Sequence, residues 1–292
     1  PIDTNYNTKM FLNYWKPSVS MFVDSEIWPN MIFNLSQRKI PIILLNARIT
    51  RKSFKRWSKF KNFSVYLFKK FDLSLCSSLK SKFYLRKLGA KNIKYFGNLK
   101  FSQSESEKIE INRNIEKFMK TKKVWCASST HDTEENFIGL VHNKLKIKYK
   151  NLLTIIIPRH INRVDDIEKQ LNQLNLKTHL HEPVKKIPMD TDIYLVNSYG
   201  QTKSFFSTCK NVFLGGSLIN HGGQNPLEAV RYGCNILHGP NVFNFEEIYK
   251  FLNSQKISFK INKQNEMLNV LTKLLSSKKN NKKDIRNKIY SK

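Results

Sequence analysis

The segment of residues 212–240 contains the residue types that proteins use to bind phosphate groups. It begins with an apolar run at 212–214, which is typical of the end of a buried strand. Four of the ten glycines of the chain follow closely: Gly215, Gly216, Gly222 and Gly223. Asn225 and Pro226 then mark a helix start, since Asn is a preferred N-cap and Pro fits the first helical turn. A strand, a flexible loop and a helix N-terminus together predict an anion site made of backbone N–H groups.

The same residues also have a purely structural explanation. Glu228 comes three residues after Asn225, so the two side chains can form a capping box at the start of the helix. A second strand followed by a Gly-Pro turn, at 236–240, favours a binding role, because the ends of parallel strands meet at one edge of a sheet. The residues of this segment alone leave both interpretations open.

Three charged residues near the ends of earlier strands are candidates for catalysis. Asp24 and Glu26 follow a predicted strand, where either can act as a general base and Glu26 can instead cap the next helix. Lys100 follows a Gly-Asn turn. It can stabilise the negative charge that develops on a phosphate, or it can be one solvated lysine among many.

Arg159 follows the strand predicted at 152–157, and a guanidinium at that position suits bidentate phosphate binding. The polar run at 128–131 is either a helix N-cap cluster or an anion cradle. The sequence has no G-x-S-x-G and no P-loop pattern, so acyl transfer and P-loop phosphoryl transfer have no support. No Asp-x-Asp pattern occurs where a sugar nucleotide would need a metal, and no metal or cofactor is predicted.

Two series of alternating strands and helices position these residues. Strands are predicted at 19–23, 40–45, 72–76, 93–96, 124–127, 152–157, 193–196, 212–214 and 236–238. The first series occupies residues 1–103 and the second occupies residues 124–277. Residues 104–123 are predicted to be a linker, and residues 278–292 a frayed basic tail. The predicted fold class is therefore α/β, with two Rossmann-like domains facing a cleft.

The charge of the chain is strongly positive, with 51 Lys and Arg against 22 Asp and Glu, or +29. This charge is compatible with nucleic acid, an anionic membrane surface or phosphorylated substrates, and also with compositional drift that implies no partner. The basic residues are spread along the chain without the aromatic pattern of RNA-binding modules, which argues against nucleic acid. The apolar runs are far shorter than the roughly 20 residues that span a bilayer. The chain begins with Pro, so we expect a fragment of a longer protein.

The cysteines and histidines show no metal-binding spacing. The four cysteines are far apart: Cys76, Cys126, Cys209 and Cys234. We expect them to be reduced thiols of a cytosolic protein. His179 and His181 are two residues apart and are predicted to lie in a surface loop, not to bind a metal.

Seven short motifs occur in one order along the chain. They are DSEIWPN at 24–30, NARIT at 46–50, GNLKF at 97–101, STHDTEE at 129–135, PRH at 158–160, GGSLINHGGQNPLE at 215–228 and GPNVFNF at 239–245. Together they closely resemble the 3-deoxy-D-manno-octulosonic acid (Kdo) transferases of lipopolysaccharide synthesis. Each motif alone is weak, but seven motifs in register are highly specific.

The resemblance implies a GT-B glycosyltransferase whose N-terminal domain is incomplete in this chain. Such enzymes transfer Kdo from CMP-Kdo to the tetraacyl lipid A precursor (lipid IVA), with inversion and without a metal or other cofactor. They act at the cytoplasmic face of the inner membrane, so the implied partners are the donor, the lipid acceptor and an anionic membrane surface, and not nucleic acid.

Carried over to this sequence, the family motifs assign two catalytic positions and one nucleotide site. Lys100 would steady the transition state, and Asp24 would act with it. The positions expected to contact the cytidine nucleotide are Pro158, Arg159, Tyr199, Gly200, Gln201, Asn225, Pro226, Leu227 and Glu228. N–H groups near Gly216 and Asn225 are expected to help Arg159 stabilise the departing phosphate.

Two departures from the family pattern affect these assignments. Asp24 stands where the family has Glu, which retracts the carboxylate by about one carbon. Tyr199 and Gln201 stand where the family has Met and Glu around the shared Gly200. The family's catalytic base is a Glu in a Gly-Glu turn behind a membrane anchor, and the resemblance implies that this chain starts after both.

Other interpretations stay open at this point. The basic segment at 48–56 can meet acceptor phosphates or anionic lipid, or it can be a solvated helix face. The chain can also be a different GT-B enzyme that uses a UDP-sugar, such as an epimerase. A binding competition between CMP and UDP would distinguish that enzyme from a CMP-Kdo enzyme. A nucleic-acid-binding protein would bind RNA in a salt-dependent way without binding CMP.

Overall fold

The computed structural model describes residues 2–99, 111–277 and 282–290. The chain forms two compact units, residues 1–103 and residues 104–292, which we call unit 1 and unit 2. Each unit is built on one parallel sheet, with helices between successive strands except between β7 and β8 of unit 2. The α/β fold class predicted from the sequence is therefore confirmed.

Unit 1 contains a four-stranded sheet with the order β1-β2-β3-β4. Its strands are β1 (Ser20–Val23), β2 (Ile42–Ala47), β3 (Leu73–Cys76) and β4 (Ile93–Tyr95). Its helices are α1 (Asn5–Trp15), α2 (Pro29–Gln37), α3 (Arg51–Ser58), α4 (Lys61–Phe68) and α5 (Leu79–Lys87). The strands are parallel, so the polar residues that follow them lie at one edge of the sheet.

Polar side chains fix where two helices of unit 1 begin. The Thr50 hydroxyl accepts a hydrogen bond from the backbone N–H of Ser53 at 3.1 Å and caps α3. The Asp3 carboxylate accepts from the N–H groups of Asn30 and Met31, both at 3.0 Å, and does the same for α2. Each such cap contributes about 1 kcal/mol because it satisfies a donor that has no partner within the helix.

The core of unit 1 lies against one face of its sheet. Phe22 on β1 and Leu44 on β2 are buried against helix residues such as Leu67. Met21 and Val23, which alternate with Phe22 along the strand, are exposed. The alternation follows from the two-residue period of a strand, which sends successive side chains to opposite faces.

Unit 2 contains a seven-stranded sheet with the order β11-β10-β9-β5-β6-β8-β7. Its strands are β5 (Lys123–Thr130), β6 (Leu152–Pro158), β7 (Thr178–Leu180), β8 (Ile193–Leu195), β9 (Asn211–Leu214), β10 (Asn235–His238) and β11 (Ser258–Lys260). Its helices are α6 (Arg113–Lys120), α7 (Glu134–Lys148), α8 (Val164–Gln173), α9 (Thr202–Thr208), α10 (Leu227–Arg231), α11 (Glu246–Ser254), α12 (Gln264–Ser276) and α13 (Lys282–Tyr290).

The central strands of unit 2 are buried on both faces. Every residue of β6 is buried, as is every residue of β9. Trp125, Ile156 and Phe213 from three neighbouring strands belong to one core cluster. Strands covered on both sides read as continuous apolar runs, which is why the sequence predicted them correctly.

The segment predicted as a linker is partly an ordered helix of unit 2. Helix α6 lies within residues 104–123, and its Ile115, Phe118 and Met119 are buried. These three residues recur at three- to four-residue spacing, so they form one apolar stripe. The linker prediction is therefore wrong for this helix.

The prediction of a frayed tail is also wrong where the structure describes it. Helix α13 buries Ile285 and Ile289, which are four residues apart on one helix face. The Lys282 ammonium, at the start of this helix, donates to the carbonyl of Ser207 at 2.6 Å. Two apolar anchors and a buried lysine dock the helix, although its composition is polar.

The sequence did not predict strand β7 or helix α9. His179 lies on β7 at the sheet edge and is half-buried, and His181 follows it with Nδ1 at 3.1 Å from the Tyr194 hydroxyl. The expectation of a surface loop for this pair is therefore wrong. No helix among the described residues is both long enough and apolar enough to cross a membrane.

The buried histidines predict a specific pH dependence of stability. Burial lowers the pKa of His238 to about 4, while its hydrogen bond to the Gly239 carbonyl acts in the opposite direction. The unfolded chain binds this proton more readily than the folded chain. The contribution of His238 is thus complete above about pH 6.5 and is lost as the pH falls toward about 4.

Between about pH 6.5 and about pH 4, we expect this one histidine to lower the unfolding free energy of unit 2 by up to about 1.4 kcal/mol for each unit by which the pH falls. Urea unfolding, followed by hydrogen exchange of peptides from β9 and β10, measures this slope. In His238→Asn the slope should be shallower. An identical slope in the two proteins would contradict the assignment.

Candidate functional site

The candidate site of unit 2 lies at the carboxyl edge of its sheet, where the order of strands changes direction. From β5 the chain adds β6 and β8 on one side, and it later adds β9 and β10 on the other side. Open α/β sheets bind their ligands at such a switch point. The segments that follow β5, β6 and β9 meet there, and they contain His131, Arg159 and the glycine-rich loop at 215–225.

A buried carboxylate organises this edge. Glu134, the first residue of α7, is 1% exposed and accepts four backbone hydrogen bonds. Its Oε2 accepts from the N–H of His131 at 3.0 Å and of Gly216 at 2.8 Å. Its Oε1 accepts from the N–H of Ser217 at 3.2 Å and of Leu218 at 3.0 Å. Burial raises the pKa of Glu134, and the four N–H donors oppose that shift.

The expectation that N–H groups near Gly216 bind a phosphate is therefore wrong. The three successive donors at Gly216, Ser217 and Leu218 point to the Glu134 carboxylate instead. The glycine-rich loop does form an anion cradle, but an internal anion fills it. Any external anion at this edge has to be met by other groups.

Two glycines are required by contact between backbone segments. A Cβ on Gly215 would lie 2.3 Å from the carbonyl oxygen of Ser129, and a Cβ on Gly239 would lie 2.2 Å from that of Ser217. The Ser217 hydroxyl accepts from the Gly239 N–H at 2.9 Å, and its carbonyl accepts from the Asn241 N–H at 2.9 Å. Hydrogen bonds thus connect the ends of β5, β9 and β10 through this one loop.

Helix α10 begins one residue later than a simple N-cap at Asn225 would place it. Its first residue is Leu227, and the Asn225 side-chain oxygen accepts from the Leu227 N–H at 3.2 Å. Pro226 and Leu227 are buried, while Asn225 and Glu228 are half-buried. Asn225 therefore does cap the turn, which supports the structural part of the earlier interpretation. The half-buried state of Glu228 leaves its side chain reachable by a ligand.

Three imidazole rings meet at the switch point, one after each of β5, β6 and β9. The ring centroids of His131 and His221 are 4.4 Å apart, and those of His131 and His160 are 5.8 Å apart. Gln224 brings its amide nitrogen within 3.4 Å of His131 Nε2. The meeting of these three rings was not predicted from the sequence, although His131 ends the polar run at 128–131 that was predicted to be a helix N-cap cluster or an anion cradle. The only other signal was that His160 follows a predicted strand and that His221 lies within the glycine-rich loop.

The central ring of this cluster is held in its neutral form. His131 is 8% exposed. Burial lowers the pKa of His131 to about 4, and His221, His160, Arg159 and Arg163 add to that shift. The field around the ring is thus positive. A negative ligand group placed there would be stabilised.

The other predicted nucleotide contacts follow β6 and β8, which are neighbours in the sheet. Pro158 ends β6, and Arg159 is exposed, with its backbone N–H bonded to the Thr130 carbonyl at 3.0 Å. Tyr199 and Gly200 are exposed after β8. Gln201, half-buried, directly precedes α9. All of these positions therefore lie at the carboxyl edge of the sheet.

Arg163 is committed to the structure of this edge. Its guanidinium contacts both oxygens of buried Glu135, at 3.0 and 3.2 Å, and the exposed carboxylate of Asp132 at 2.9 Å. These contacts raise the pKa of Arg163 against the effect of burial. Arg163 fixes the turn before α8 to the start of α7, while Arg159 stays exposed to solvent.

In unit 1, Asn46 connects two of the predicted motifs. Its Nδ2 donates to the carboxylate of Asp24, and its Oδ1 accepts from the Leu99 N–H at 3.1 Å. Glu26 accepts from the indole N–H of Trp28 at 2.7 Å. Glu26 therefore holds the Trp28 indole and does not cap α2, because Asp3 accepts the N–H groups at the start of that helix. Lys100 lies outside the described residues.

The described residues contain no cluster of three or more His, Cys, Asp or Glu side chains arranged to hold a metal ion. The three histidines of the switch point stand ring against ring and do not converge their nitrogens on one centre. What the edge offers is a set of hydrogen-bond donors and positive charge around the central His131, which suits an anionic ligand.

Solved structures share the architecture. The C-terminal CMP-Kdo binding domain of WaaA from Acinetobacter baumannii covers 60% of this chain and 90% of that chain, with a TM-score of 0.55 and 24% identity. A UDP-GlcNAc 2-epimerase from Neisseria meningitidis covers 98% of this chain and 74% of that chain, with a TM-score of 0.60 and 14% identity. The fold is that of the GT-B glycosyltransferases, with two Rossmann-like units.

Sequence relatives define the family. A 3-deoxy-D-manno-octulosonic acid transferase of Rickettsia bellii is 32% identical over 98% of this chain and 68% of its own length. The relative from Rickettsia felis is 32% identical over 94% of this chain and 59% of its own length. The relative from Haemophilus influenzae is 27% identical over 99% of this chain and 69% of its own length. A family model described as 3-Deoxy-D-manno-octulosonic-acid transferase (kdotransferase) matches residues 1–103.

The chain belongs to the 3-deoxy-D-manno-octulosonic acid transferase family, whose members are glycosyltransferases. It spans between 59% and 69% of the length of these three relatives. The resemblance drawn from the seven motifs is therefore confirmed.

The Glu134 contacts predict a large cost for removing its charge. In Glu134→Gln an amide NH₂ would face backbone N–H donors, so buried donors lose their partner. We expect the unfolding free energy of unit 2 to fall by about 3 kcal/mol. Asp132→Asn removes a charge from the same turn, but its side chain is 75% exposed, so the loss should stay below about 1 kcal/mol. Urea unfolding measures both, and equal losses would refute the assigned role.

Proposed function

We propose that this protein binds CMP-Kdo in unit 2 and transfers Kdo to the lipid A precursor, with inversion at the anomeric carbon. One observation carries the proposal beyond family membership. Residues 158–159, 199–201 and 225–228, which occupy the positions of the family's nucleotide-binding motifs, all follow strands at the carboxyl edge around one switch point. That edge is where an open α/β sheet binds a nucleotide.

In this proposal the side chains of unit 2 hold the leaving nucleotide. The exposed Arg159 guanidinium donates two parallel hydrogen bonds to the phosphate. Glu228 accepts hydrogen bonds from the ribose hydroxyls, as acidic residues do in related nucleotide folds. A positive environment at the phosphate lowers the barrier for loss of CMP, since negative charge develops there in the transition state. No metal is needed for this step.

Asp24 and Lys100 are proposed as the catalytic residues that unit 1 contributes. The Asp24 carboxylate is oriented by Asn46, and the same Asn46 holds the backbone of Leu99, next to Lys100. One amide side chain thus supports the acid directly and the segment that carries the lysine. The Lys100 ammonium would stabilise negative charge in the transition state.

We further propose that unit 1 meets an anionic surface, as expected for an enzyme whose acceptor is a phosphorylated lipid at the inner membrane. Residues 27–71 contain eleven Lys and Arg and no Asp or Glu. Helix α3 has no buried residue, and four of its basic side chains are exposed: Arg51, Lys52, Lys55 and Arg56. Exposed aromatic residues such as Phe60 and Phe63 follow on the next turns. Basic and aromatic side chains together suit a membrane interface.

The donor proposal predicts selective nucleotide binding. By calorimetry we expect CMP to bind more tightly than UMP, and Arg159→Ala to weaken CMP by about ten- to a hundredfold through loss of a charged hydrogen bond. Glu228→Ala should weaken it as well. Lys150→Ala removes an equal charge at the opposite edge of the sheet and should leave the affinity unchanged. A preference for UMP or UDP would instead favour a UDP-sugar enzyme, because epimerases share the fold.

The membrane proposal predicts charge-dependent sedimentation with vesicles. Replacing Arg51, Lys52, Lys55 and Arg56 by Gln should reduce binding to vesicles rich in anionic phospholipid by more than about tenfold, since each basic residue near such a surface contributes about 1 kcal/mol. A matched variant replaces four exposed lysines of unit 2: Lys148, Lys150, Lys169 and Lys210. Equal losses in the two variants would show a nonspecific effect of net charge and would exclude α3 as the contact.

A further inference from the structure

Three N–H groups of the glycine-rich loop, those of Gly216, Ser217 and Leu218, already donate to Glu134 and are not available to a ligand anion at the switch point of unit 2. Helix α10 has only five residues, so it offers a weak dipole. Exposed side chains at this edge are therefore important donors for an incoming phosphate or carboxylate.

The histidine cluster is placed to do this. Three separate segments carry these residues: the His131 ring lies 4.4 Å from the His221 ring and 5.8 Å from the His160 ring, between centroids. His160 and His221 are exposed, so the hydrophobic core does not require them. The His131 and His221 rings also cover Gly216, where an added Cβ would lie 3.0 to 3.2 Å from them. The cluster therefore lies on the solvent side of the loop whose opposite side is held by Glu134.

The charged groups around the cluster are both cationic and anionic, and most of them are engaged with one another. Arg159, His160, Arg163 and His221 act electrostatically on His131. Arg163 is paired with Asp132 and with buried Glu135, and Glu134 accepts backbone N–H groups. These carboxylates and Arg163 are thus committed to the structure, whereas the Arg159 guanidinium and the imidazoles of His160 and His221 are exposed to a ligand.

We propose that His160 and His221, which lie around the buried His131 ring and next to Arg159, bind an oxyanion of the sugar-nucleotide donor and take up a proton as it binds. This rests on the proposed donor site and names a part of it that the nucleotide motifs do not include. A donor of the proposed kind carries two oxyanions, the phosphodiester and the sugar carboxylate. An imidazolium is a hydrogen-bond donor and a charge at once, so it suits either of them.

Proton uptake follows from the charges. A negative ligand group placed against the exposed imidazoles stabilises their protonated form, because an imidazolium donates charge-assisted hydrogen bonds to it. Affinity for an anionic ligand therefore decreases as the pH rises through the range in which histidine titrates, whereas affinity for an uncharged ligand does not.

The test uses three probes that share the cytidine group. Cytidine carries no anion, the methyl ester of CMP carries a phosphodiester whose charge does not change near neutral pH, and CMP-Kdo adds the sugar carboxylate. CMP itself is avoided, because its phosphate titrates near about pH 6. Calorimetry at about pH 5.5 and about pH 8, in buffers of different ionisation enthalpy, gives both the affinity and the number of protons taken up.

For the wild-type protein, two results agree with the proposal. If the histidines hold the phosphodiester, the methyl ester binds about tenfold more weakly at the higher pH and with measurable proton uptake. If they hold the sugar carboxylate, CMP-Kdo shows these two effects and the methyl ester does not. Cytidine should show neither effect. In His160→Gln, His221→Gln and the double variant, the pH dependence and the uptake should diminish together, while cytidine binding persists.

His179→Gln, which removes an imidazole at the sheet edge strand β7, is the matched control and should behave like the wild type. The inference is overturned if the double variant keeps the full pH dependence, or if no probe shows any in the wild type. A failure of all three probes to bind, cytidine included, would instead reject the donor site itself. Circular dichroism of each variant verifies that the exposed substitutions leave the fold intact.

Discussion

The Glu134 carboxylate, with its four backbone N–H donors, is the interaction on which the candidate site of unit 2 depends. A buried charge is costly unless hydrogen bonds replace its lost water, and here both oxygens are engaged twice. The contacts join the turn after β5 to the loop after β9. Ser217 then extends the connection to the end of β10 through Gly239 and Asn241. Three strand ends that are far apart in sequence thus become one rigid edge.

This internal anion changes how the edge can recognise a ligand. Backbone N–H groups have a fixed protonation state, so a phosphate bound by them has an affinity that depends little on pH. With Glu134 in that cradle, recognition passes to Arg159 and to the imidazoles of His160 and His221, which are exposed and carried by the same rigid edge. Glu134 then holds the edge rigid, and exposed side chains bind the ligand. A rigid edge reduces the free-energy cost of ordering those side chains when the ligand binds.

The sequence predicted the elements whose pattern is local. The continuous apolar strands and the α/β class followed from periodicity, and seven ordered motifs identified the family. Strand β7 was missed because it is only three residues long and half-buried at the sheet edge, so it has no clear alternation. Helix α13 was missed because its composition is basic and only Ile285 and Ile289 anchor it.

The histidine cluster could not be predicted for a different physical reason. His131, His160 and His221 are separated by up to 90 positions, and their proximity arises from the order of strands in the sheet, not from spacing in the chain. Likewise, Glu134 looked like an ordinary acidic residue in the first turn of a helix. Three of its four partners become visible only when the β9 loop folds back onto α7.

Residues with a positive φ angle mark the strand ends at which each unit places its candidate functional residues. Among the described residues, eight non-glycine residues have positive φ, and four of them lie just after helices, where left-handed residues commonly end them: Lys16, Lys39, Asn175 and Lys256. The other four are Asp24, Asn46, Ser129 and Thr133, at the carboxyl ends of β1, β2 and β5 and before α7.

The latter four positions carry a conformational cost that ordinary strand ends avoid, and such strain persists where the surrounding structure imposes it. In unit 1, Asn46 imposes it by bonding Asp24 and Leu99. In unit 2, the irregular register of β5 around Ser129 places its carbonyl against Gly215, and Thr133 directs Glu134 into the cradle. Both units therefore use one buried polar side chain and a strained strand end to fix their site, which is the arrangement expected of a binding edge and not of a sheet shaped by packing alone.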